Sequence, residues 1–161
     1  MQLIIDGHNL IPHIPGLSLS DPDDEHELVK ILQEYSRIRQ KTIEVYFDQA
    51  AVGQVGEVQL GRVKAFYVQR RITADQAIMN RLKKLGKRAR NVVVVSSDRQ
   101  VQQAARAVHA TVMTSGTFSD EYQSLIQEEP ELDPRNRLLS TDEVERWERF
   151  FQHGHPTKDD K

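Results

Sequence analysis

The chain has 161 residues, no cysteine, and 22 Lys+Arg against 24 Asp+Glu, for a formal net charge of -2 at pH 7. Without cysteine it has no disulfide, zinc–thiolate or iron–sulfur centre and no thiol nucleophile, so oxygen or imidazole must hold any metal. With 29% charged and 38% hydrophobic residues it has the composition of one folded domain, and the near-neutral balance neither advertises nor excludes nucleic acid.

Met1 to Ile5 is a short apolar run ending at Asp6-Gly7, which predicts a buried strand with its carboxyl end at Asp6. Asp6 also interrupts any signal-peptide core, and the longest aliphatic run, Val92 to Val95, is far short of the ~20 residues of a membrane span. A cytoplasmic location with no membrane contact is the expectation. Residues 12–24, with three prolines and three aspartates, read as a loop. Ser20 or Asp21 is the expected cap of the next helix, with Pro22 in its first turn. Leu28, Val29, Ile31, Leu32, Tyr35 and Ile38 follow the helical period. Thr42 to Phe47 is β-branched and aromatic and stops at Asp48: a second strand. Residues 49–61 hold three glycines and read as a loop or irregular hairpin.

Val63 to Val68 alternates as a third strand, and a helix follows from Asp75 to Leu85, closed by Gly86. Asn91 to Val95, the most apolar run, predicts a fourth strand at the centre of the sheet. A helix over 99–109, a short fifth strand over 111–114 and a helix over 118–127 complete the domain. This alternation predicts an α/β fold: a mostly parallel five-stranded sheet covered by helices on both faces, over residues 1–127. Residues 128–161 read as a charged linker, a short C-terminal helix with the stripe Val144, Trp147, Phe150 and Phe151, and a polar tail. The stripe suits docking on its own domain or a partner groove.

The chemistry lies in where the aspartates fall. Asp6 ends the first strand, Asp48 the second, Asp98 follows the fourth, and Asp75 starts the helix after the third. Open parallel sheets bind ligands outside the carboxyl ends of their strands. Four acids at that edge repel one another unless a cation intervenes, and a hard oxygen donor set favours magnesium or manganese. Each acid also has a local reading as cap or turn former: Ser96-Ser97-Asp98 is a good cap, and Thr73 competes with Asp75 for the other. In Asp6-Gly7-His8-Asn9 the glycine permits a tight turn, after which the Asn9 amide is placed to orient a carboxylate, water or phosphate.

Four segments carry a resemblance: Ile4-Ile5-Asp6-Gly7-His8-Asn9-Leu10-Ile11, Val45-Tyr46-Phe47-Asp48, Thr73-Ala74-Asp75 and Val95-Ser96-Ser97-Asp98-Arg99. In order and spacing they resemble the NYN-domain family of the YacP type, within the PIN-like nuclease group. The resemblance implies a PIN-like three-layer fold and a metal-dependent endoribonuclease acting on single-stranded RNA, some members being ribosome-associated. It makes Asp6, Asp75 and Asp98 the ligands of Mg2+ or Mn2+, Asp48 a supporting acid, and Asn9 and Ser97 polar groups of the catalytic site. The bound ion would supply an acidified water and a polarised phosphoryl group. The family often continues Thr-Ala-Asp-x-x-Ile-Glu, whereas here Met79 stands in the glutamate position, one helical turn from Asp75.

Arg70, Arg71 and Arg99 flank the acids and are the expected phosphate contacts. The run Lys83, Lys84, Lys87, Arg88 and Arg90 is either a second basic patch or a solvated helix face. His8 lies inside the turn, in reach of substrate or in a structural role, and no histidine spacing matches a zinc site. Tyr46, Phe47, Phe66 and Tyr67 lie within strands and are expected in the core, leaving no stacking platform. Two other functions compete with the nuclease. One is an RNA-binding module that kept the fold and lost the chemistry, with Met79 in its favour. The other is a nucleotide-binding α/β protein, disfavoured because no strand is followed by a glycine-rich phosphate loop.

Overall fold

The computed structural model describes residues 2–20, 23–50, 56–69 and 72–128. In chain order these form β1 (Gln2–Asp6), α1 (Gly7–Leu10), a 3-10 turn (Ile11–His13), α2 (Asp24–Arg39), β2 (Thr42–Ala50), β3 (Gly56–Leu60) and β4 (Val63–Gln69). There follow α3 (Ala74–Leu85), a second 3-10 turn (Gly86–Asn91), β5 (Val92–Val95), α4 (Arg99–Ala107), β6 (Thr111–Met113) and α5 (Ser115–Glu128).

One six-stranded sheet runs β3-β4-β2-β1-β5-β6. Every pairing is parallel except β3 with β4. The sheet therefore has six strands rather than the five expected. The added strand, β3, comes from the glycine-containing stretch read as a loop or irregular hairpin: Val58 and Leu60 are buried while Glu57 and Gln59 are exposed. Leu60 pairs with Val63 across a two-residue turn in which Gly61 takes φ 65°, the positive φ that such hairpins need at their first turn position.

Strand alternation divides the core in two. Leu3 and Ile5 of β1 face α2 and α5, where Leu28, Leu32, Tyr35 and Phe118 close over them. Ile4 faces α3 and α4 and packs with Ile78, Leu82, Val101 and Ala105. β5 is buried along its whole length, as an interior strand covered on both faces must be. Phe47 and Tyr67 belong to the α2 side of the core and Tyr46 to the α3 side, but Phe66 is only half-buried, contrary to expectation.

The elements differ from the sequence reading at several points, and β2 does not stop at Asp48 but runs on to Ala50, its pairing with β4 shifting between Phe47 and Ala50. α2 begins at Asp24 with Asp23 in the cap position, not behind Ser20 or Asp21. α5 begins at Ser115, where Thr114 Oγ1 accepts the Thr117 N–H at 3.1 Å, three residues ahead of Phe118. The single turn α1 was not foreseen, being too short for a periodic signal. Asp21, Pro22, Arg70 and Arg71 lie outside the described residues, as does the segment read as linker and C-terminal helix apart from its first residue, Glu128, which ends α5. Among the described residues no helix is long and apolar enough to cross a membrane.

The topology fixes where a ligand belongs. The chain leaves β1 towards β2 on one side, and leaves β5 towards β6 on the other. Strand order thus reverses between β1 and β5, and their carboxyl ends open a crevice.

Candidate active site

Asp6 closes β1 at the mouth of that crevice and is only 7% exposed. Burial pushes its carboxyl up, and the charge of Asp75 adds to this. The Asn9 backbone N–H opposes the rise, Asp48 reinforces it, His8 opposes it, and the result is about 6. Asp75 stands in the first turn of α3, where Thr73 Oγ1, not the aspartate, accepts the Gln76 N–H at 3.2 Å. The capping duty falls to the threonine, and the fold brings Asp75 and Asp48 each into electrostatic reach of Asp6.

Asp98 has the opposite arrangement. Its Oδ1 caps α4, accepting the Gln100 N–H at 2.8 Å and the Val101 N–H at 3.2 Å, while its own N–H donates to the buried Ser96 hydroxyl. Both capping bonds fall on one carboxylate oxygen. Arg99 follows as the exposed first residue of α4.

Across the crevice, three polar side chains tie the ends of β1, β5 and β6 together. Asn9 Oδ1 accepts the Ser97 N–H at 2.8 Å and the Ser115 hydroxyl at 2.7 Å, and Ser97 Oγ accepts the Ser115 N–H at 3.1 Å. Two donors on Oδ1 fix the orientation of the amide, so the Asn9 NH2 group must point the other way. Ser115, fully buried and 106 residues from Asn9, is invisible to any local motif.

His8 is held on both sides. Its Nδ1 lies 2.8 Å from Asp48 Oδ1, its Nε2 2.6 Å from Glu25 Oε2, and its ring rests against Phe47 at 5.4 Å. Burial would lower its pKa, but the hydrogen bonds and charges of Glu25 and Asp48 raise it to about 9. At neutral pH it is an imidazolium joining two carboxylates, and both ring nitrogens are engaged within the protein. Glu25, in the first turn of α2, was missed because nothing local links it to His8. The basic run begins near the far end of α3, on the order of 12 Å from Asp75 at ~1.5 Å per residue. Lys83, Lys84, Lys87, Arg88 and Arg90 are all exposed, in keeping with a solvated face. Met79 is half-buried.

The family model of the YacP-like NYN domain matches residues 3–152. The chain belongs to that family. Its fold is shared by Rae1 (YacP) from Bacillus subtilis, with a TM-score of 0.65 and 22% identity over 92% of this chain and 95% of that one. A Trp-to-Leu variant of the same protein gives TM-score 0.65 and 22% identity over 79% of this chain and 77% of that one. No curated protein matches. The NYN domain is a nuclease-like α/β fold, and its acids occupy the edge where such a fold binds ligands.

The donors of this NYN domain suit a hard divalent cation. Asp6, whose pKa is raised first by burial and then by the charge of Asp75, is a carboxylate that a cation would relieve. Among the described residues no three His, Asp or Glu side chains stand together as a ready-made metal cage.

The His8 clamp makes a testable contribution to stability. A histidine whose folded pKa is raised stabilises fully below its unfolded value near 6.5, and that contribution is lost as pH rises through about 9. We expect urea unfolding to show the wild type ahead of His8→Gln by up to about 3 kcal/mol at pH 6.5, with the gap closing by about pH 10. A gap that is constant with pH would mean that the imidazolium contributes shape and not charge.

Proposed function

We propose that this NYN domain is a divalent-metal-dependent endoribonuclease that hydrolyses phosphodiester bonds of single-stranded RNA in the cytoplasm. The observation that carries the reading is Asp6: a buried carboxylate, its pKa pushed up to about 6, facing Asp75 and Asp48 at the reversal of strand order. Asp6 and Asp75 would hold Mg2+ or Mn2+, with Asp98 offering the oxygen not used in capping. When bound, the ion supplies an acidified water and neutralises charge on the phosphate.

The chain's own groups supply position. The Asn9 NH2, oriented by the donors on its Oδ1, is a neutral donor for a phosphate oxygen. Ser97 and Ser115 hold Asn9 in place. Asp48 is bound to His8 and so supports the site from behind. Arg99, with Arg70 and Arg71, would provide cationic contacts to the RNA backbone. RNA held on a ribosome is a substrate of the same chemistry.

The test is cleavage of end-labelled single-stranded RNA with Mn2+, Mg2+ or EDTA, for the wild type and Asp75→Asn. Cutting that needs the metal and falls at least about 100-fold in the variant is expected, the order of loss when a charge-stabilising group is removed. Metal-independent cutting, or cutting that survives Asp75→Asn, overturns the reading. RNA binding without cutting favours a domain that kept the fold and lost the chemistry. Met79 would then be the first position to change, since Met79→Glu restores an acid one turn from Asp75.

A further inference from the structure

The acids account for cleavage but not for how a base is received beside them. On the α3 face of the sheet, register sets Asp6, Tyr46 and Phe66 side by side on β1, β2 and β4. At ~4.8 Å per strand, Phe66 lies about 10 Å from Asp6 along this row. Its ring stacks on that of Tyr46, with centroids 4.6 Å apart and planes 8° from parallel.

Tyr46 is itself immobilised. It is buried, and its hydroxyl donates to Glu44 Oε1 at 2.9 Å. Arg81 grips the same carboxylate from α3 through Nε at 3.0 Å and Nη2 at 2.8 Å. Phe66 remains half-buried because α3 packs chiefly over β1 and β2, so β4 lies beyond the helix's cover. The opposite side of the same strands is sealed by α2, with Phe47 and Tyr67 in the core. Among the described residues the Phe66 ring is thus left partly exposed, backed by a fixed ring and level with Asp6.

The charge beside it suits a nucleic acid. Lys64 Nζ lies over the Phe66 ring, 5.8 Å from its centroid. It pairs with Glu57 at 3.4 Å, but both side chains are over one-third exposed, and such pairs hold weakly. Lys64 is therefore free to exchange Glu57 for a phosphate.

We propose that Phe66, backed by Tyr46, is a base-stacking subsite for single-stranded RNA, with Lys64 as its phosphate contact. The proposal rests on reading the Asp6 crevice as a nuclease site. A gap of about 10 Å is spanned by a few nucleotides at roughly 3.4 Å or more each, so the stacked base would lie close to the cleaved bond. Aromatic stacking is tolerant of sequence, so Phe66 would position RNA without selecting one base.

The experiment uses the full chain in EDTA and a single-stranded RNA carrying 2-aminopurine, whose fluorescence is quenched when it stacks. Quenching by the wild type is expected. Phe66→Leu, which keeps an apolar side chain against Tyr46, should abolish quenching and weaken binding about 10-fold or more. Phe66→Trp should restore both, which a purely structural role would not require. With Mg2+, Phe66→Leu should raise KM and leave kcat close to wild type. If Phe66→Leu binds and quenches like the wild type while the wild type cleaves, the subsite is wrong and the nuclease reading stands. If quenching depends on Phe66 but nothing is cleaved in any metal, the subsite stands and the nuclease reading fails. A wild type that binds no RNA overturns the subsite.

Discussion

Asp6→Asn should melt at a higher temperature than the wild type at pH 7 in EDTA, and should cleave no RNA. The folded protein raises the Asp6 pKa from 3.8 to about 6 by burying it and by placing Asp75 near it. A carboxyl raised in the folded state favours folding below its unfolded pKa and loses that contribution as pH climbs through the folded one. Ionised Asp6 at pH 7 is therefore a cost to the fold, at most about 3 kcal/mol. Asparagine removes the charge yet still accepts the Asn9 N–H. For a chain of this size, 1–3 kcal/mol corresponds to roughly 2–12 °C in Tm. The gain should fade towards pH 4, where the wild-type carboxyl is protonated. Mg2+ or Mn2+ should raise the wild-type Tm and leave the variant's unchanged. Calorimetry at pH 7 and pH 4 in EDTA, repeated with metal, checks all three. A variant less stable than the wild type at pH 7 would show that Asp6 is held for structure.

The cost of burying this charge is also what makes Asp6 stand out in the sequence. An acid ending an apolar strand is poor design for a core, and three others recur at the same edge. The sheet was legible because β1, β2, β4 and β5 are dense in β-branched and aromatic residues, although β2 runs two residues past the Asp48 that breaks its pattern. β3 was not, because Gly56 and Gly61 diluted a four-residue alternation until it resembled a loop.

The remainder of the site is tertiary. Glu25 reaches His8 across 17 residues and Asp48 across 40, and Ser115 meets Asn9 across 106. No spacing rule connects them, because the sheet and not the chain makes them neighbours. Asp98 illustrates the converse. A cap is one of the two readings its sequence allows, and it does cap α4, through Oδ1. Phe66 was assigned to the core because it lies in a strand. Its exposure depends on how far α3 extends over the sheet, which the alternation within β4 cannot reveal.

Gly7→Ala should cost about 3 kcal/mol and weaken any cleavage as well, although Gly7 carries no chemistry. The sequence suggested that this glycine serves a tight turn. In the structure it is the first residue of α1, and its φ is not positive, so alanine fits the backbone. What it lacks is space. A Cβ there would meet Phe47 Cε1 at 2.3 Å, Phe47 Cδ1 at 2.6 Å and the Tyr46 carbonyl oxygen at 3.0 Å. Phe47 is fully buried, with Tyr67 stacked on it at 5.3 Å, and the Tyr46 backbone is fixed by pairing with β1 and β4. Neither can retreat without moving β2, and β2 carries Asp48 and, through it, the His8 clamp. Thermal melts should show Gly7→Ala down by roughly 6–12 °C. The control is a double-mutant cycle with Phe47→Leu, which makes room where the methyl would go. If the clash is the cause, the pair should be less destabilised than the sum of the singles by about 1 kcal/mol or more. Additive losses would place the damage in the backbone of α1 rather than against Phe47.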